Sequence, residues 1–570
     1  VNLLVALVAV AISARQRRHA ASPDSHDEPT LPEEQTAANA SARRIRQAVL
    51  AAFAVSGAAS MALEIVWLRM LVLFVPATIY AFSTMLATFL GGIAAGSALA
   101  PALIRRAPRL SAVLGILQLA TAAAIVLSLH LLVIAYTSGW MSGTLAASAA
   151  AVFPATLLMG VAFPIGVRLW TAGVANASRR AGERVGVLYA VNVCGAILGA
   201  TGAAFVLLPW LGSRASLLVI AASYVAAGLL VLAAGAPRGR ALAFTAAACI
   251  AAFAWASLEL PDPFAAAHSR RYRGEQPFWR EEGLQTTVSV HVRPLGGRVL
   301  YLDGLHQANS TAEMTRVHAA IGILPMALHP DPKAALVIGL GGGVTPGAVS
   351  THPGTAVDVV ELSSAVVRGA DWFRDVNFGV LTRPNVALRI DDGRNYLLLT
   401  PRRYDVVTAD LIQPVHAGAG NLYSIEYFRL ARSVLRERGL MLQWVGHRGA
   451  TQYKLIMRTF LQAFPETTLW MDGTLMVGAL QPLQISRAAL ERKLLDPSLR
   501  TTLQMVGLGS FDALVAKYDA GPEELRRLAG AGAILTDDRP MLEYHRSVSA
   551  DDPPIDLSAV RGDVRRHVVP

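Results

Sequence analysis

Gly339, Gly341 and Gly343 alternate between a short apolar run, Ala335-Leu336-Val337-Ile338, and Thr345-Pro346. A run this short reads as a buried parallel strand and Thr-Pro as a helix start, so the glycines form the turn between them. A side chain there would hold a ligand off the backbone N–H groups and resist positive φ, which is why the turn uses glycine. The spacing is G-x-G-x-G. Val344 occupies the place that would complete a dinucleotide G-x-G-x-x-G, so nicotinamide binding is disfavoured. A second strand, 356–361, ends in Glu361, about twenty residues on, where a Rossmann-like fold sets an acid on ribose hydroxyls. Two more strands, 386–390 and 404–409, deliver Asp391-Asp392-Gly393 and Asp410 to the same edge. A glycine turn followed by acids at three successive strand ends suits a nucleoside with a charged tail. The blander alternatives are a scaffold without ligand, a plain turn at Asp391-Asp392, and a turn-capping Asp410.

The elements that must carry these residues are a soluble α/β unit and something far more apolar. The 570-residue chain is 53% hydrophobic and 16% charged, with a mean hydropathy of +0.43. That excludes a wholly soluble protein and makes a lipid bilayer one partner. A formal charge of +11 could serve nucleic acid, but the arginines are scattered in short loops between apolar spans, and no nucleic-acid partner is expected. Cys194 and Cys249 lie inside apolar stretches, which gives neither a disulfide framework nor a metal pattern.

Residues 1–13 are apolar, too short to cross a bilayer, and read as the tail of a span cut at its start; 15–47 read as a flexible polar loop. Seven apolar segments follow, near 48–75, 78–103, 110–136, 144–167, 185–209, 214–235 and 240–258. The basic loops at Arg105, Arg106 and Arg109, at 168–184 and at Arg238 and Arg240 alternate with almost uncharged turns near 76, 138 and 212. Seven crossings from a basic inner loop would leave 260–570 outside. Either one segment is re-entrant, or the 15–47 loop is outside, or the domain is extracytoplasmic; a nucleoside cofactor is found inside, and Arg270, Arg271 and Arg273 follow the last span, so the soluble domain is expected on the cytosolic side of the cell membrane. Glu64, Arg69 and Asn192 lie within the spans, where polar groups line a pathway or pocket unless Arg69 snorkels to an interface and Glu64 pairs with a neighbouring helix.

Residues 260–283 read as a linker, and 286–292 with 298–302 as a β-hairpin around Gly296-Gly297. Beyond 410 the pattern gives helix 424–438, strand 440–445, helix 452–463, a strand pair near 467–479 and helices through 484–530. The fold expected is a multi-pass α-helical membrane bundle followed by an α/β Rossmann-like domain of S-adenosylmethionine-transferase type with a small N-terminal β-hairpin. Its divisions are 1–47, partial apolar segment and loop; 48–258, bundle; 259–305, linker and hairpin; 306–547, Rossmann-like domain; and 548–570, a loose tail.

Through LYLDGLHQANS, VIGLGGGVTPG, VVEL, DDGRNYLL, YDVVTAD and ILTDDRPMLEY the chain resembles the spermidine synthase (polyamine aminopropyltransferase) family. SGAASMALEIVWLRML, FPATLLMGVAFPIG and GVLYAVNVCGAILGA resemble its membrane-fused branch. The resemblance implies decarboxylated S-adenosylmethionine (or S-adenosylmethionine) as co-substrate, a di- or polyamine acceptor, no prosthetic group and no metal, with a homodimer as a candidate assembly. Asp410 falls on the first Asp of the family's D-S-x-D-P segment, which implies the base and amine anchor. Asp392 falls on the Asp that accepts the adenine amino group, with Gly393 beside it, and Gln285 on the Gln near the donor. Gln307 falls on the Gln after LDG, and Gln413 takes the place of the second acid of D-S-x-D-P on the amine side. His318 is near the family's Tyr-His-Glu but lacks its neighbours and reads as structural; Tyr404, Tyr423 and Tyr427 read as packing residues.

Gly342, Ser363 and Leu284 also depart from the family's Asp, Asp and Tyr. Each swap removes charge or a polar contact from the side where an amine would sit, so nucleoside binding survives better than diamine recognition. The alternatives are another S-adenosylmethionine-dependent transferase with a membrane-associated acceptor, or a non-catalytic transporter or sensor with a nucleoside- or polyamine-binding domain.

Overall fold

Eight helices open the described chain. The computed structural model describes residues 33–75, 77–139, 143–172, 179–235, 240–272, 274–409, 414, 418–446, 449–544, 552–558 and 560–569. The helices are α1 (Glu33–Phe74), α2 (Ile79–Arg106), α3 (Leu110–Thr137), α4 (Thr144–Thr171), α5 (Arg179–Gly202), α6 (Leu208–Gly235), α7 (Arg240–Leu258) and α8 (Pro263–Arg271). Glycine lets the backbones touch: a Cβ on Gly96 would stand 2.0 Å from Leu157 O, and one on Gly160 2.2 Å from Ile93 O, so α2 and α4 meet without side chains between them. Large apolar side chains such as Leu90, Leu99, Ile116, Leu131 and Ile134 point outward, as a lipid-facing surface would have them.

Among the described residues, 5 helical runs are long and apolar enough to cross a membrane, the last being Ala181–Gly235 with 55 residues. A straight helix of that length would be about 80 Å long, far beyond a hydrocarbon core of about 30 Å. A π-turn at Ala203–Leu207 and a non-helical Gly212 interrupt it. It doubles back: Arg184 O accepts from Trp170 Nε1 at one end of the bundle, Ser213 meets the soluble domain at the other, and Gly235 returns beside Ser111 at the start of α3. The expected loop over 15–47 differs where it is described: helix α1 begins at Glu33, because its first turns are rich in Ala, Gln and Arg, all good helix formers.

The soluble part begins earlier than a linker would suggest. Asp262 caps α8, accepting from Phe264 N–H (3.0 Å), and β1 (Gln276–Glu282) follows. β1 pairs antiparallel with β2 (Thr287–Val292), then β3 (Arg298–Leu302) and β4 (Leu305–Asn309), so the expected hairpin is the middle of a 4-stranded sheet. After α9 (Ala312–Leu328) come β5 (Ala334–Ile338), α10 (Val344–Ser350), β6 (Ala356–Glu361), α11 (Ser364–Ala370), β7 (Val386–Ile390), α12 (Gly393–Leu399), β8 (Tyr404–Ala409), α13 (Ile425–Ser433), β9 (Leu435–Trp444), α14 (Ala450–Ala463), β10 (Thr468–Trp470), β11 (Leu475–Ala479), β12 (Ile485–Ser486) and β13 (Tyr518–Ala520). The larger sheet has the order β13-β10-β11-β9-β8-β5-β6-β7, parallel from β9 to β7. The chain winds one way from β5 and the other from β8. Their shared carboxyl edge is therefore a topological switch point, where α/β sheets hold ligands.

Residues 548–570, expected as a tail, are docked where described. Val568–Val569 pairs parallel with β12, and the Asp552 carboxylate accepts from Thr451 N–H (2.9 Å).

Three histidines make this domain acid-sensitive. Burial is the largest influence holding each of His291, His329 and His352 down to about 4. The imidazoles are kept neutral: His329 Nδ1 accepts from Asp331 N–H (3.3 Å), and His352 Nδ1 is 2.9 Å from Thr355 Oγ1. A folded pKa below the unfolded value means stability that is complete above about 6.5 and lost as pH falls toward 4, because the unfolded chain binds the extra protons. Denaturation midpoints should therefore drop from pH 6.5 to 4.5, and His329→Gln should shallow that slope; a flat profile would contradict this account.

Candidate active site

The glycine turn leaves β5 in the conformation its composition demands. Gly339, Gly341 and Gly343 have φ of +90°, +52° and +85°, and Gly343 is the left-handed N-cap of α10. Gly339 N–H continues the sheet by donating to Val360 O (2.8 Å), and Gly343 N–H closes the turn on Leu340 O (2.8 Å).

Glu361, at the end of β6, faces this turn. Its Oε2 accepts from Leu340 N–H (2.8 Å) and its Oε1 from Ser363 N–H (2.9 Å). Burial raises its pKa, and the backbone N–H groups of Leu340, Ser363, Leu362 and Gly341 partly oppose that. Its oxygens are the acceptors expected for a ribose hydroxyl. The Ser363 Oγ is buried with no hydrogen-bond partner among the described residues.

The remaining expected residues surround this pair unevenly. Gln307 lies on β4, with its Cγ 4.0 Å from where a Cβ on Gly341 would stand. Gln285 sits in the exposed loop between β1 and β2. Asp392 caps α12, its Oδ1 accepting from Arg394 and Asn395 N–H (2.9 Å each), so the turn role is real. Its exposed carboxylate stays at the ligand edge, since Asp391 N–H donates to Glu361 O (3.0 Å). Gly393 is required by packing, as a Cβ there would stand 2.6 Å from the Ile338 Cγ2. Asp410 and Gln413 lie outside the described residues. Ala409, immediately before Asp410, pairs with Ile338, immediately before Gly339.

His318 is buried in α9, and its carbonyl accepts from Thr345 Oγ1 (2.9 Å). The Tyr404 hydroxyl donates to Asp358 (2.7 Å), and the side chains of Tyr423 and Tyr427 are fully buried, so these tyrosines pack. Among the described residues no group of three or more His, Cys, Asp or Glu could hold a metal ion.

Two fastenings escape a sequence reading. Arg394 forks onto Asp537 (2.8 and 2.6 Å), and Glu543 Oε1 accepts from Gly418 and Gly420 N–H (3.0 Å each), which ties down the chain just past 410–417. Both acids belong to ILTDDRPMLEY. The motif was visible; its partners, over a hundred residues away, were not.

A family model for the spermine/spermidine synthase domain matches residues 314–461. The polyamine aminopropyltransferase of Thermococcus kodakarensis is 31% identical over 213 residues, covering 34% of this chain and 73% of that protein. The chain belongs to the polyamine aminopropyltransferase family. The family member of Aeropyrum pernix is 35% identical over 167 residues, 28% of this chain and 53% of its own length. Similarity therefore spans about half of some relatives. The polyamine aminopropyltransferase of Mycobacterium tuberculosis is 28% identical over 420 residues, 71% of this chain and 78% of that one. That stretch is longer than the soluble domain and so extends into the helices. Spermidine synthase of Thermotoga maritima is a solved structure with 20% identity and a TM-score of 0.37, covering 45% of this chain and 88% of that one.

Proposed function

We propose that the soluble domain transfers an aminopropyl group from decarboxylated S-adenosylmethionine to a di- or polyamine. The observation that carries this is the switch point itself, where β5 ends in the glycine turn between β6, which ends in Glu361, and β8, whose next residue is Asp410. In this reading Glu361, Gln285 and Asp392 hold the adenosyl donor, and Gln307 with Gln413 meets the amine. Asp410 takes a proton from the amine as its nitrogen bonds the methylene beside sulfur; the carbon–sulfur bond breaks and methylthioadenosine leaves with the electron pair. Purified full-length protein, given the donor and a panel of amines, should release methylthioadenosine. No product with any amine would refute the reading.

Gly342 favours a second reading. A Cβ there would stand 3.1 Å from the Ala308 Cβ, so an acid's place is filled by apolar packing and a less cationic acceptor is suited. Calorimetry separates the two, because a transferase using intact S-adenosylmethionine would bind it more tightly than the decarboxylated form.

The apolar helices support a multi-pass membrane protein. The cytosolic placement of the soluble domain leaned on donor supply and on Arg270 and Arg271, yet these arginines donate to Tyr136 O and Leu73 O near the ends of α3 and α1, so helix capping accounts for them. Arg105, Arg106, Arg109, Arg168 and Arg184 belong to the far end of the bundle, and their bias supports a domain on the opposite, non-cytosolic face. Leu295→Cys, in a fully exposed turn, should then react with a membrane-impermeant maleimide in intact cells, and Ala107→Cys only after permeabilisation. The reverse pattern would restore the cytosolic placement.

A further inference from the structure

The loop 283–286 carries Gln285 and rests on the start of α11, where a Cβ on Gly283 would stand 3.1 Å from the Ala365 Cβ and 3.7 Å from the Ser363 Oγ. Within the loop Gly283 N–H donates to Thr286 O (3.0 Å). Its outward carbonyls are held from the helical bundle: Arg69 Nη1 donates to Gly283 O (3.0 Å) and Nη2 to Leu284 O (2.7 Å).

The flanking residues are anchored in the same direction. Glu282 Oε2 accepts from Ser213 N–H (2.8 Å) and from the Ser213 hydroxyl. Ser213 follows the break at Gly212, where φ is +73° and a Cβ would stand 3.1 Å from Glu282 Oε1. On the other side Thr287 N–H donates to Asp303 Oδ1 (2.8 Å). Burial raises the Asp303 pKa, and that hydrogen bond and the nearby Arg69 charge oppose the rise.

A guanidinium is a rigid charged fork that fixes two neighbouring carbonyls as one unit. Among the described residues Arg69 therefore spends its donors on the backbone of a loop beside Ser363 and forms no direct ion pair. We propose that Arg69 is a positioning residue for the donor site, setting the Gln285 loop against Ser363 from the bundle side. Its kinetic consequence rests on the aminopropyltransferase reading; its structural consequence rests on the hydrogen bonds alone. The bundle thereby supplies part of the scaffold of the site, and the soluble domain separated from it would hold this loop loosely.

The test uses the full chain in lipid nanodiscs. Arg69→Gln should raise the Kd for methylthioadenosine and the KM for the donor about tenfold, leave the KM for the amine and the unfolding midpoint unchanged, and quicken hydrogen exchange at 283–286. Arg69→Lys should recover part of the donor affinity, and guanidinium added to Arg69→Ala should recover more. Unchanged donor affinity and exchange in Arg69→Gln would overturn the proposal. Parallel losses of donor affinity, amine affinity and thermal stability would also overturn it, leaving Arg69 a merely structural residue. Wild-type protein that binds no adenosyl ligand would refute the site reading, while the exchange comparison would still decide whether Arg69 orders the loop.

Discussion

Asp410→Asn is expected to lower methylthioadenosine release by about 100- to 10,000-fold while leaving donor affinity nearly intact, the range a lost general base gives. The amine arrives mostly protonated near neutral pH, and a neutral nitrogen is needed for attack on the carbon beside sulfur. An asparagine keeps the size and one acceptor but cannot take the proton. Raising the pH should rescue part of the rate, since free amine then becomes available without help. Single-turnover assays across pH 7 to about 10 would show it. A variant with full activity at pH 7 would remove Asp410 from the mechanism, and one that loses donor binding as well would make it a structural residue.

Glu361→Ala should have the next largest effect, on binding. Removing the carboxylate abolishes the expected ribose contact and strands the N–H groups of Leu340 and Ser363, which it accepts at 2.8 and 2.9 Å. A charge-assisted hydrogen bond contributes roughly 1.5–3 kcal/mol, so methylthioadenosine affinity should fall by about 10- to 150-fold. The unfolding midpoint should drop too, because two buried donors lose their partner. Glu361→Gln sharpens the test: the amide keeps one acceptor oxygen but turns N–H₂ toward the second donor, so it should bind weakly despite near-native shape. Calorimetry with methylthioadenosine measures both, and unchanged affinity in either variant would remove Glu361 from the donor site.

What could be read in the chain was what short-range chemistry writes there. Strands 356–361, 386–390 and 404–409 appear as expected, because each is short, rich in valine or leucine and followed by a polar turn, although 386–390 is an exposed edge strand. The glycine turn was legible for a similar reason, as three positive-φ positions leave little choice of residue. The Gln276–Glu282 strand was not, since it is mostly exposed and its sequence, QPFWREE, carries no alternation. The docked C-terminal residues were missed because their pairing with Ile485–Ser486 is only two residues long. The role of Arg69 was hidden by distance: its partners Gly283 and Leu284 are 214 and 215 residues away and contribute only backbone oxygens, which leave no mark on side-chain pattern.

The apolar wall at Gly342, pressed toward Ala308 and Phe373, bears on how fast a polycation would find its way in. Long-range attraction scales with the charge lining an entrance and is screened by salt over about 10 Å at 0.1 M. Gly342 and Ser363, buried at places where the family resemblance implies acids, add no charge that could draw a cation from a distance. Encounter with the amine would then be governed by diffusion and fit, and added salt would slow capture far less than in an acid-rimmed relative.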